Sequence, residues 1–473
     1  MMKETEEIVL MDLDFLPLKT SANIVEGNAL RMDWNDVVDK NKLNYIMGNP
    51  PFVGYGLQSV SQKVDILSLY VDEKGKPYNT AGKIDYVAGW YWKASDLMQG
   101  TSIRSALVSA NSITQGEQVT SIWKPLYDRF GIHIDFAHKT FIWDSEASTK
   151  AHVHCVIIGF SVVANEKKRI LYSDDHMVLA KNINPYLADT DIVFIEGRKK
   201  PLCEVPEMSV GNRPTDAGQL ILSSEEKEDL LKVEPQASRF IKKYMMGYEF
   251  INKKDRYCLW LVNASPSDIR SLAKVRERVE KCREARFKSL DEGRRKLADT
   301  PHLFREQLNP ILAIVIPKVS SERRRYIPMG FLDQDTIAGD NLFVIPDASL
   351  YHFGILTSNV HMAWMRTVGG RLKSDYRYSK DLVYNTFPWP SPTEEQRKKI
   401  EQTAQEILDA RALFPDSSLA DLYDEVTMPQ ELRKAHQRND RAVMDAYGIP
   451  TKDFLESDCV AELMKFYQRM TKE

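Results

Sequence analysis

The stretch that decides the fold reads Asn44-Tyr45-Ile46-Met47-Gly48-Asn49-Pro50-Pro51-Phe52. A short apolar run that ends at turn-forming residues predicts a buried strand of a parallel sheet. The two prolines fix the backbone and remove two N–H donors, so the chain leaves the sheet rigidly, with carbonyl groups free to accept hydrogen bonds. This arrangement predicts a site that binds an amino group at the end of a strand.

Three residues of this stretch carry groups that suit a planar base with an exocyclic amine. Asn49 offers a side-chain carbonyl, Pro50 a main-chain carbonyl and Phe52 a flat ring face. Two acceptors beside a stacking ring suit the amine of an adenine that has been flipped out of duplex DNA. The alternative is an ordinary proline-rich turn, which a four-residue motif alone does not exclude.

Length and composition are those of a globular protein with two or three domains. The chain has 473 residues, of which 43% are apolar and 28% charged. Because the formal net charge is −3, any surface for nucleic acid requires a local concentration of positive charge. The five cysteines are dispersed, and no apolar run is long enough to span a membrane. We expect a cytoplasmic protein with no membrane partner.

Short apolar strands alternate with helical segments through residues 1–165, which predicts an α/β domain. Residues 53–82 are polar and contain glycine, so they predict a loop near the site. Asn28 and Ala29 follow the first strand, and in α/β sheets this position contacts nucleotide cofactors. An ordinary strand and turn is the alternative there. The predicted strands are 22–28, 44–48, 105–110, 132–137 and 151–160, and the predicted helices are 84–98 and 117–129.

The motif Asn49-Pro50-Pro51-Phe52 after an apolar strand resembles the target-base motif of class I adenine-N6 DNA methyltransferases, which use S-adenosylmethionine. Together with segments 107–119, 370–379 and 384–390, it makes nearly the whole chain resemble MmeI-like (type IIG/IIL) restriction-modification enzymes. The resemblance implies a site-specific DNA methyltransferase that acts on double-stranded DNA.

Particular residues acquire roles through this resemblance. It implies that Asn49, Pro50, Pro51 and Phe52 form the catalytic motif. It also implies that Asn28 and Ala29 bind the adenine of S-adenosylmethionine, although the family often has Asp where this chain has Asn28.

The resemblance is incomplete in the first domain. The family carries a nuclease, a spacer and a glycine-rich cofactor loop before the first strand seen here, and none of them is recognised in this sequence. Class I sheets have the strand order 3-2-1-4-5-7-6, so strands 1 and 2 are missing, and a sheet without them has unpaired edges. Two alternatives follow: a partner polypeptide supplies the N-terminal methyltransferase and nuclease parts, or the chain is a non-catalytic DNA-binding specificity subunit or remnant.

The α/β pattern ends near residue 166. By resemblance, residues 166–390 form an α+β target-recognition domain and residues 391–473 an α-helical C-terminal domain. Residues 270–305 contain twelve Lys and Arg against six Asp and Glu. Their helical spacing at 271–287 predicts either a solvated helix or one that follows DNA phosphates.

Two basic segments of the middle domain suit DNA more directly. Arg323, Arg324 and Arg325 are adjacent to hydroxyl side chains, a combination that suits backbone phosphates. Segment 369–379 alternates charged and aromatic residues. Its candidate DNA-binding residues are Arg371, Lys373, Asp375 and Arg377. Lys373 and Asp375 suit the two bases of one G·C pair, and the alternative is a surface salt bridge.

Two further patterns are weak. Asp216 with Glu225-Glu226-Lys227 imitates a nuclease metal site, but such triplets are frequent in a charged chain. His152 and His154 share a strand face, yet neither a carboxylate nor a cysteine stands at ligand spacing. We therefore expect neither a nuclease centre nor a bound metal.

Overall fold

The computed structural model describes residues 23–143, 153–164, 169–173, 176–372, 374–452 and 455–471. The chain forms two compact units. The first comprises residues 1–110, 121–142 and 155–179, and the second comprises residues 111–120, 143–154 and 180–473. Within the described ranges, no helix is long and apolar enough to cross a membrane.

A six-stranded sheet with its helices makes up most of the first unit. The helices are α1 (Trp34–Val37), α2 (Val60–Leu69), α3 (Ala88–Leu97) and α4 (Glu117–Phe130), whose first four residues are assigned to the second unit, and single 3-10 turns occupy Lys40–Lys42 and Ala81–Lys83. A further 3-10 turn, Asn111–Thr114, belongs to the second unit. The strands are β1 (Tyr45–Gly48), β2 (Arg104–Ala110), β3 (His133–Trp143), β4 (Val153–Ser161), β5 (Arg169–Ser173) and β6 (His176–Ala180).

The strands follow the order β1-β2-β4-β3-β5-β6. β1 and β2 are parallel, with Gly48 opposite Leu107, whereas β4 is antiparallel to β2. The first four positions reproduce the 4-5-7-6 part of a class I methyltransferase sheet, and β5 and β6 extend it. The predicted class I arrangement is therefore confirmed for these described strands.

Aromatic residues of α3, α4 and β4 form part of the core of this unit. Tyr91 and Trp123 are fully buried, and their ring centroids lie 5.1 Å apart. Tyr91 also stacks on Phe160 of β4 at 5.2 Å, and its hydroxyl group lies 2.8 Å from that of Ser109 on β2. The helix is thereby fixed on the sheet by both apolar and polar contacts.

Among the described residues, β1 is an edge strand. Tyr45 is 67% exposed and Met47 is 81% exposed, although a parallel strand is usually covered on both faces. The strand forms and pairs in parallel as predicted, but the prediction that it is buried is wrong, because among the described residues no element covers Tyr45 and Met47.

Two predictions for the first unit are wrong. No strand forms at residues 23–28, where Ile24 is 88% exposed, because a strand requires a neighbour for its backbone hydrogen bonds and none pairs with it in the described chain. Residues 53–82 are not a continuous loop, since they contain α2. Ser59 and Gln62 form a capping box, in which each side chain accepts from the backbone N–H group of the other residue. This pair marks the start of a helix in a polar stretch.

The second unit continues with three small sheets, whose strand orders are β14-β9-β10-β8, β13-β11-β15-β7 and β12-β17-β16. The strands are β7 (Ser209–Val210), β8 (Ile221–Leu222), β9 (Ile241–Met245), β10 (Tyr257–Leu259), β11 (Leu312–Pro317), β12 (Val319–Ser320), β13 (Gly330–Asp333), β14 (Thr336–Ala338), β15 (Leu342–Pro346), β16 (Gly370–Leu372) and β17 (Asp375–Arg377). The helices among them are α5 (Ser224–Val233), α6 (Gly247–Asn252), α7 (Pro266–Ser271), α8 (Ala273–Phe287), α9 (Glu292–Lys296), α10 (Leu350–Leu356) and α11 (Asn359–Val368).

In the described part of residues 391–471, the helices are α12 (Glu394–Ala412), α13 (Leu419–Leu422), α14 (Gln430–Ala446) and α15 (Glu456–Thr471). α10 approaches α12 closely at Gly354, where an added Cβ would lie 2.6 Å from a methyl group of Ile400. The predicted α+β segment followed by a helical end is confirmed.

The basic helix α8 is anchored by a buried arginine. Val275, Val279 and Cys282 face the apolar core of the first small sheet, as the spacing predicted. Arg286 is fully buried, and its guanidinium group donates to five carbonyl groups, those of Thr215, Leu297, Thr300, Pro214 and Leu303. One planar cation thus satisfies the acceptors of two irregular segments.

Arg286→Met should destabilise the chain by more than about 3 kcal/mol, because it leaves several buried carbonyl groups without a donor. Chemical denaturation measures the free energy of unfolding. Arg283→Met, on the exposed side of the same helix, is the matched control and should change it by less than about 0.5 kcal/mol. Equal effects of the two substitutions would contradict the anchoring role.

Candidate functional site

The motif Asn49-Pro50-Pro51-Phe52 follows β1 directly. Asn49 and Pro51 are exposed, Phe52 is half-buried and Pro50 is buried. The chain beyond the motif is held in place, because the Val53 carbonyl accepts from the Tyr86 N–H group at 2.9 Å. An exposed amide on a fixed backbone is available to a ligand at the carboxyl end of the sheet, where α/β folds bind ligands.

Asn28 and Ala29 lie in a turn that is held by side-chain hydrogen bonds. The Oδ1 atom of Asn28 accepts from the Leu30 N–H group at 2.9 Å, and its Nδ2 atom donates to Asp65 at 3.0 Å. The Ala29 carbonyl accepts from the indole of Trp34 at 2.7 Å. The turn is therefore ordered although no strand precedes it.

Asp65 on α2 is a residue that the sequence analysis missed. Its buried carboxylate accepts from Asn28, from Arg31 at 2.6 Å and from the Tyr86 hydroxyl at 2.9 Å. Burial raises the pKa of Asp65, but these hydrogen bonds outweigh it and hold the pKa below its ordinary value. Because Tyr86 also binds Val53, it links the Asn28 turn to the chain that follows Phe52. Asp65 stands in the stretch that was expected to be a loop, so no sequence signal marked it.

The second unit brings the two predicted DNA-binding segments together. β12 pairs with β17, which pairs with β16, so the basic loop 320–326 lies beside the recognition hairpin 370–377. The N–H group of Glu322 lies 3.4 Å from a carboxylate oxygen of Asp375. Lys373 lies outside the described residues.

The arginines of these two segments differ in their surroundings. Arg323, Arg325 and Arg377 are exposed. Arg324 is half-buried, and burial lowers the pKa of its guanidinium group. Arg371 stacks over the ring of Tyr376, with its central carbon 4.1 Å from the ring centroid. Three arginines are thus presented to solvent and two are held against the protein.

The turn after β2 lies against the recognition hairpin. Gly116 has a φ of +61°, and a Cβ at this position would lie 3.4 Å from the Cα atom of Gly370. Both residues belong to the second unit. The two glycines allow the two backbones to approach closely.

The nuclease-like triplet is used for structure. Asp216 is buried and accepts from the N–H groups of Gly218, at 3.1 Å, and Leu220. Glu226 caps α5 through Ser223 and pairs with Arg278 at 2.7 Å. In the part of the chain that the structure describes, no three His, Cys, Asp or Glu side chains form a group that could hold a metal ion. His152 is not among the described residues.

Three family models match consecutive parts of this chain. Residues 1–173 match the DNA-methyltransferase domain of MmeI, residues 189–391 its target recognition domain, and residues 392–473 its C-terminal domain.

The chain belongs to the MmeI family.

Two similar proteins support the MmeI assignment. DNA methyltransferase A of Bacillus subtilis (strain 168) is 41% identical over 463 residues, which are 97% of this chain and 51% of that protein. A solved structure of the type IIL restriction-modification enzyme MmeI in complex with DNA is 43% identical, with a TM-score of 0.85. That match covers 100% of this chain and 63% of the other. The chain therefore spans about half the length of the curated relative that it matches.

In this MmeI-family chain, a buried polar cluster lies behind the basic loop. The carboxylate of Asp440 on α14 accepts from the Tyr326 hydroxyl at 2.6 Å and from the Asn359 N–H group at 2.8 Å. The ring of His436 stacks on Tyr326 at 4.1 Å and bonds the Tyr423 hydroxyl at 2.8 Å. Burial raises the pKa of Asp440 to about 6, although hydrogen bonds from Tyr326 and Asn359 oppose the change.

A raised pKa means that the folded chain binds this proton more tightly than the unfolded chain does. Asp440 therefore favours folding at low pH, and this contribution is lost as the pH rises towards 6. Asp440→Asn removes the titration. The free energy of unfolding of the variant, relative to the native chain, should rise by roughly 3 kcal/mol between about pH 4 and pH 7.

Denaturant unfolding at a series of pH values measures this difference. Asp409→Asn, which changes an exposed carboxylate on α12, is the matched control. If the difference for Asp440→Asn is constant over the same range, the carboxyl group does not titrate as its burial requires.

Proposed function

We propose that this chain carries the target-base part of a site-specific DNA methyltransferase in a restriction-modification system. The reaction transfers a methyl group from S-adenosylmethionine to N6 of adenine in double-stranded DNA. One observation carries the proposal: Asn49-Pro50-Pro51-Phe52 stands at the carboxyl end of β1, next to parallel β2, with Asn49 exposed.

In the proposed reaction, a flipped adenine donates its N6 hydrogens to the side-chain oxygen of Asn49 and the carbonyl of Pro50. These bonds direct the lone pair of N6 towards the methyl group to be transferred, and Phe52 stacks on the base. Stacking offsets part of the cost of removing the base from the duplex, and Pro51 keeps the backbone of the motif rigid. The amine loses its proton after attack, so the motif supplies no general base.

Asn28 and Ala29 suit the adenine end of S-adenosylmethionine, which supplies an electrophilic methyl group when bound. Asn28 uses one Nδ2 hydrogen for Asp65, and an amide nitrogen has two. The second hydrogen and the short side chain of Ala29 are compatible with an adenine ring beside the turn. The Asp65 bonds keep the turn in place for this contact.

The basic loop and the recognition hairpin are the proposed surface for double-stranded DNA. Exposed Arg323, Arg325 and Arg377 suit phosphates, whereas Arg324 and Arg371 support the loop and the hairpin from partly covered positions. One carboxylate oxygen of Asp375 lies beside the N–H group of Glu322 in the basic loop. The other oxygen is therefore the one available to a cytosine amine. Lys373 keeps its predicted role as the partner of guanine.

We further propose that a partner polypeptide in the cytoplasm completes the sheet along β1. The exposure of Tyr45 and Met47 supports this proposal, because a strand added at the edge would cover both side chains. A second candidate function is a DNA-binding specificity subunit without catalysis. It is favoured by the pairing of the basic loop with the recognition hairpin, which involves no strand of the methyltransferase sheet.

Asn49→Ala should lower the rate of methyl transfer to adenine by at least about 100-fold, because it removes one of the two groups that orient N6. Binding of duplex DNA should change little. Transfer of a labelled methyl group and DNA binding are measured on the same preparation.

Asn44→Ala is the matched control, since it removes an exposed amide at the other end of β1. It should retain native activity. Unreduced turnover by Asn49→Ala would refute the assignment of the target-base motif.

A further inference from the structure

The C-terminal helices bind the two DNA-binding segments through polar side chains. Asp440 of α14 is 5% exposed and holds Tyr326, the residue that directly follows the three arginines. Asn359 at the start of α11 donates to the other oxygen of the same carboxylate. The end of the basic loop is thereby tied to a buried group of the C-terminal domain.

Arg366 on α11 makes a second connection. Its Nε atom donates to the Tyr376 hydroxyl of the recognition hairpin at 3.2 Å. One terminal nitrogen donates to the Arg325 carbonyl of the basic loop, and the other donates to Glu456 of α15 at 2.8 Å. A single planar cation therefore joins the loop, the hairpin and the last helix.

The space around these bonds is not tightly filled. A cavity of about 440 Å³ lies among the basic loop, α11 and the start of α15, and its lining includes Arg324, Tyr376, Leu455 and Cys459. Tyr326 is buried against His436, whereas Arg324 and Arg325 border the cavity and lack the close packing of a protein core. The position of these arginines consequently depends on the directional bonds to Asp440 and Arg366 at the end of the loop.

We propose that Asp440 and Glu456 are positioning residues for DNA binding: through Tyr326 and Arg366 they hold the arginines of the basic loop in the arrangement that contacts duplex phosphates. The inference rests on the proposed function and assigns a role to the C-terminal domain within it. Ordering the loop before DNA arrives reduces the entropy that is lost on binding. The two carboxylates strengthen DNA binding although their own charge repels DNA.

The negative charge of Glu456 repels DNA, whereas its proposed role strengthens DNA binding, so a variant without the charge distinguishes the two effects. Glu456→Gln removes one negative charge, which by long-range electrostatics alone should strengthen DNA binding. The amide oxygen that this substitution introduces still accepts from Arg366 but without a negative charge, so the weaker bond should hold the loop less firmly and lower the affinity for DNA. Glu462→Gln, on the same helix, removes the same charge from a residue that bonds Lys465 and makes no bond to Arg366, so it is the matched control.

The experiment measures binding of the full-length chain to a fluorescent duplex of mixed sequence across a series of salt concentrations. Tyr326→Phe, which loses its hydrogen bond to a carboxylate, should bind about fivefold to tenfold more weakly than the native chain. Glu456→Gln, which keeps an uncharged acceptor for Arg366, should bind about threefold to fivefold more weakly. The slope of log affinity against log salt should fall by about one unit for each phosphate that the loop no longer neutralises. Glu462→Gln should bind as the native chain does, or slightly more tightly.

Thermal melting shows whether each variant is folded. Glu456 is half-exposed, so Glu456→Gln tests the inference even if Tyr326→Phe destabilises the chain. If Glu456→Gln binds DNA as tightly as Glu462→Gln, with the same salt slope, the inference is overturned while the proposed function stands. If the native chain does not bind the duplex, the proposed function fails and the inference fails with it.

Discussion

The hydrogen-bonding requirement of β1 constrains the rest of the first unit. Backbone donors and acceptors of a strand need partners, and β1 has them along β2 only, among the described residues. Asn49-Pro50-Pro51-Phe52 follows this half-paired strand, so the placement of the proposed target-base motif depends on one parallel ladder and on the bond from Tyr86 to Val53. The exposed side chains of Tyr45 and Met47 mark the side from which the sheet can be extended.

Charged side chains stabilise both units where the backbone is irregular. Asp65 accepts a hydrogen bond that holds the Asn28 turn, and Arg286 donates to five carbonyl groups. Arg366 donates to both the basic loop and the recognition hairpin. Irregular segments leave carbonyl and N–H groups that no helix or sheet satisfies, and a buried ionic side chain with several donors or acceptors replaces those partners. Arg323, Arg325 and Arg377, by contrast, are exposed to solvent.

Sequence patterns predicted what depends on local order. The apolar run before Asn49 predicted β1, and the helical patterns at 84–98 and 117–129 predicted α3 and α4. The strand at residues 22–28 was wrong because strand formation depends on a neighbour, which no local pattern supplies. Asp65, Asp440 and Arg366 were missed for a related reason. Asp65 and Asp440 bond Tyr86 and Tyr326, which lie 21 and 114 residues away. Arg366 bonds Arg325 and Glu456, which lie 41 and 90 residues away, and a single sequence shows no such long-range pairing.

Methyl transfer from labelled S-adenosylmethionine to adenine in duplex DNA tests the central claim most directly. The assay uses this chain alone, and then mixed with a polypeptide that carries the glycine-rich cofactor loop and the two central strands. Our account predicts transfer in the mixture and none by the chain alone. Absence of transfer in both, with DNA binding retained, would contradict it and would identify a specificity subunit. Transfer by the chain alone would show that the sheet needs no partner.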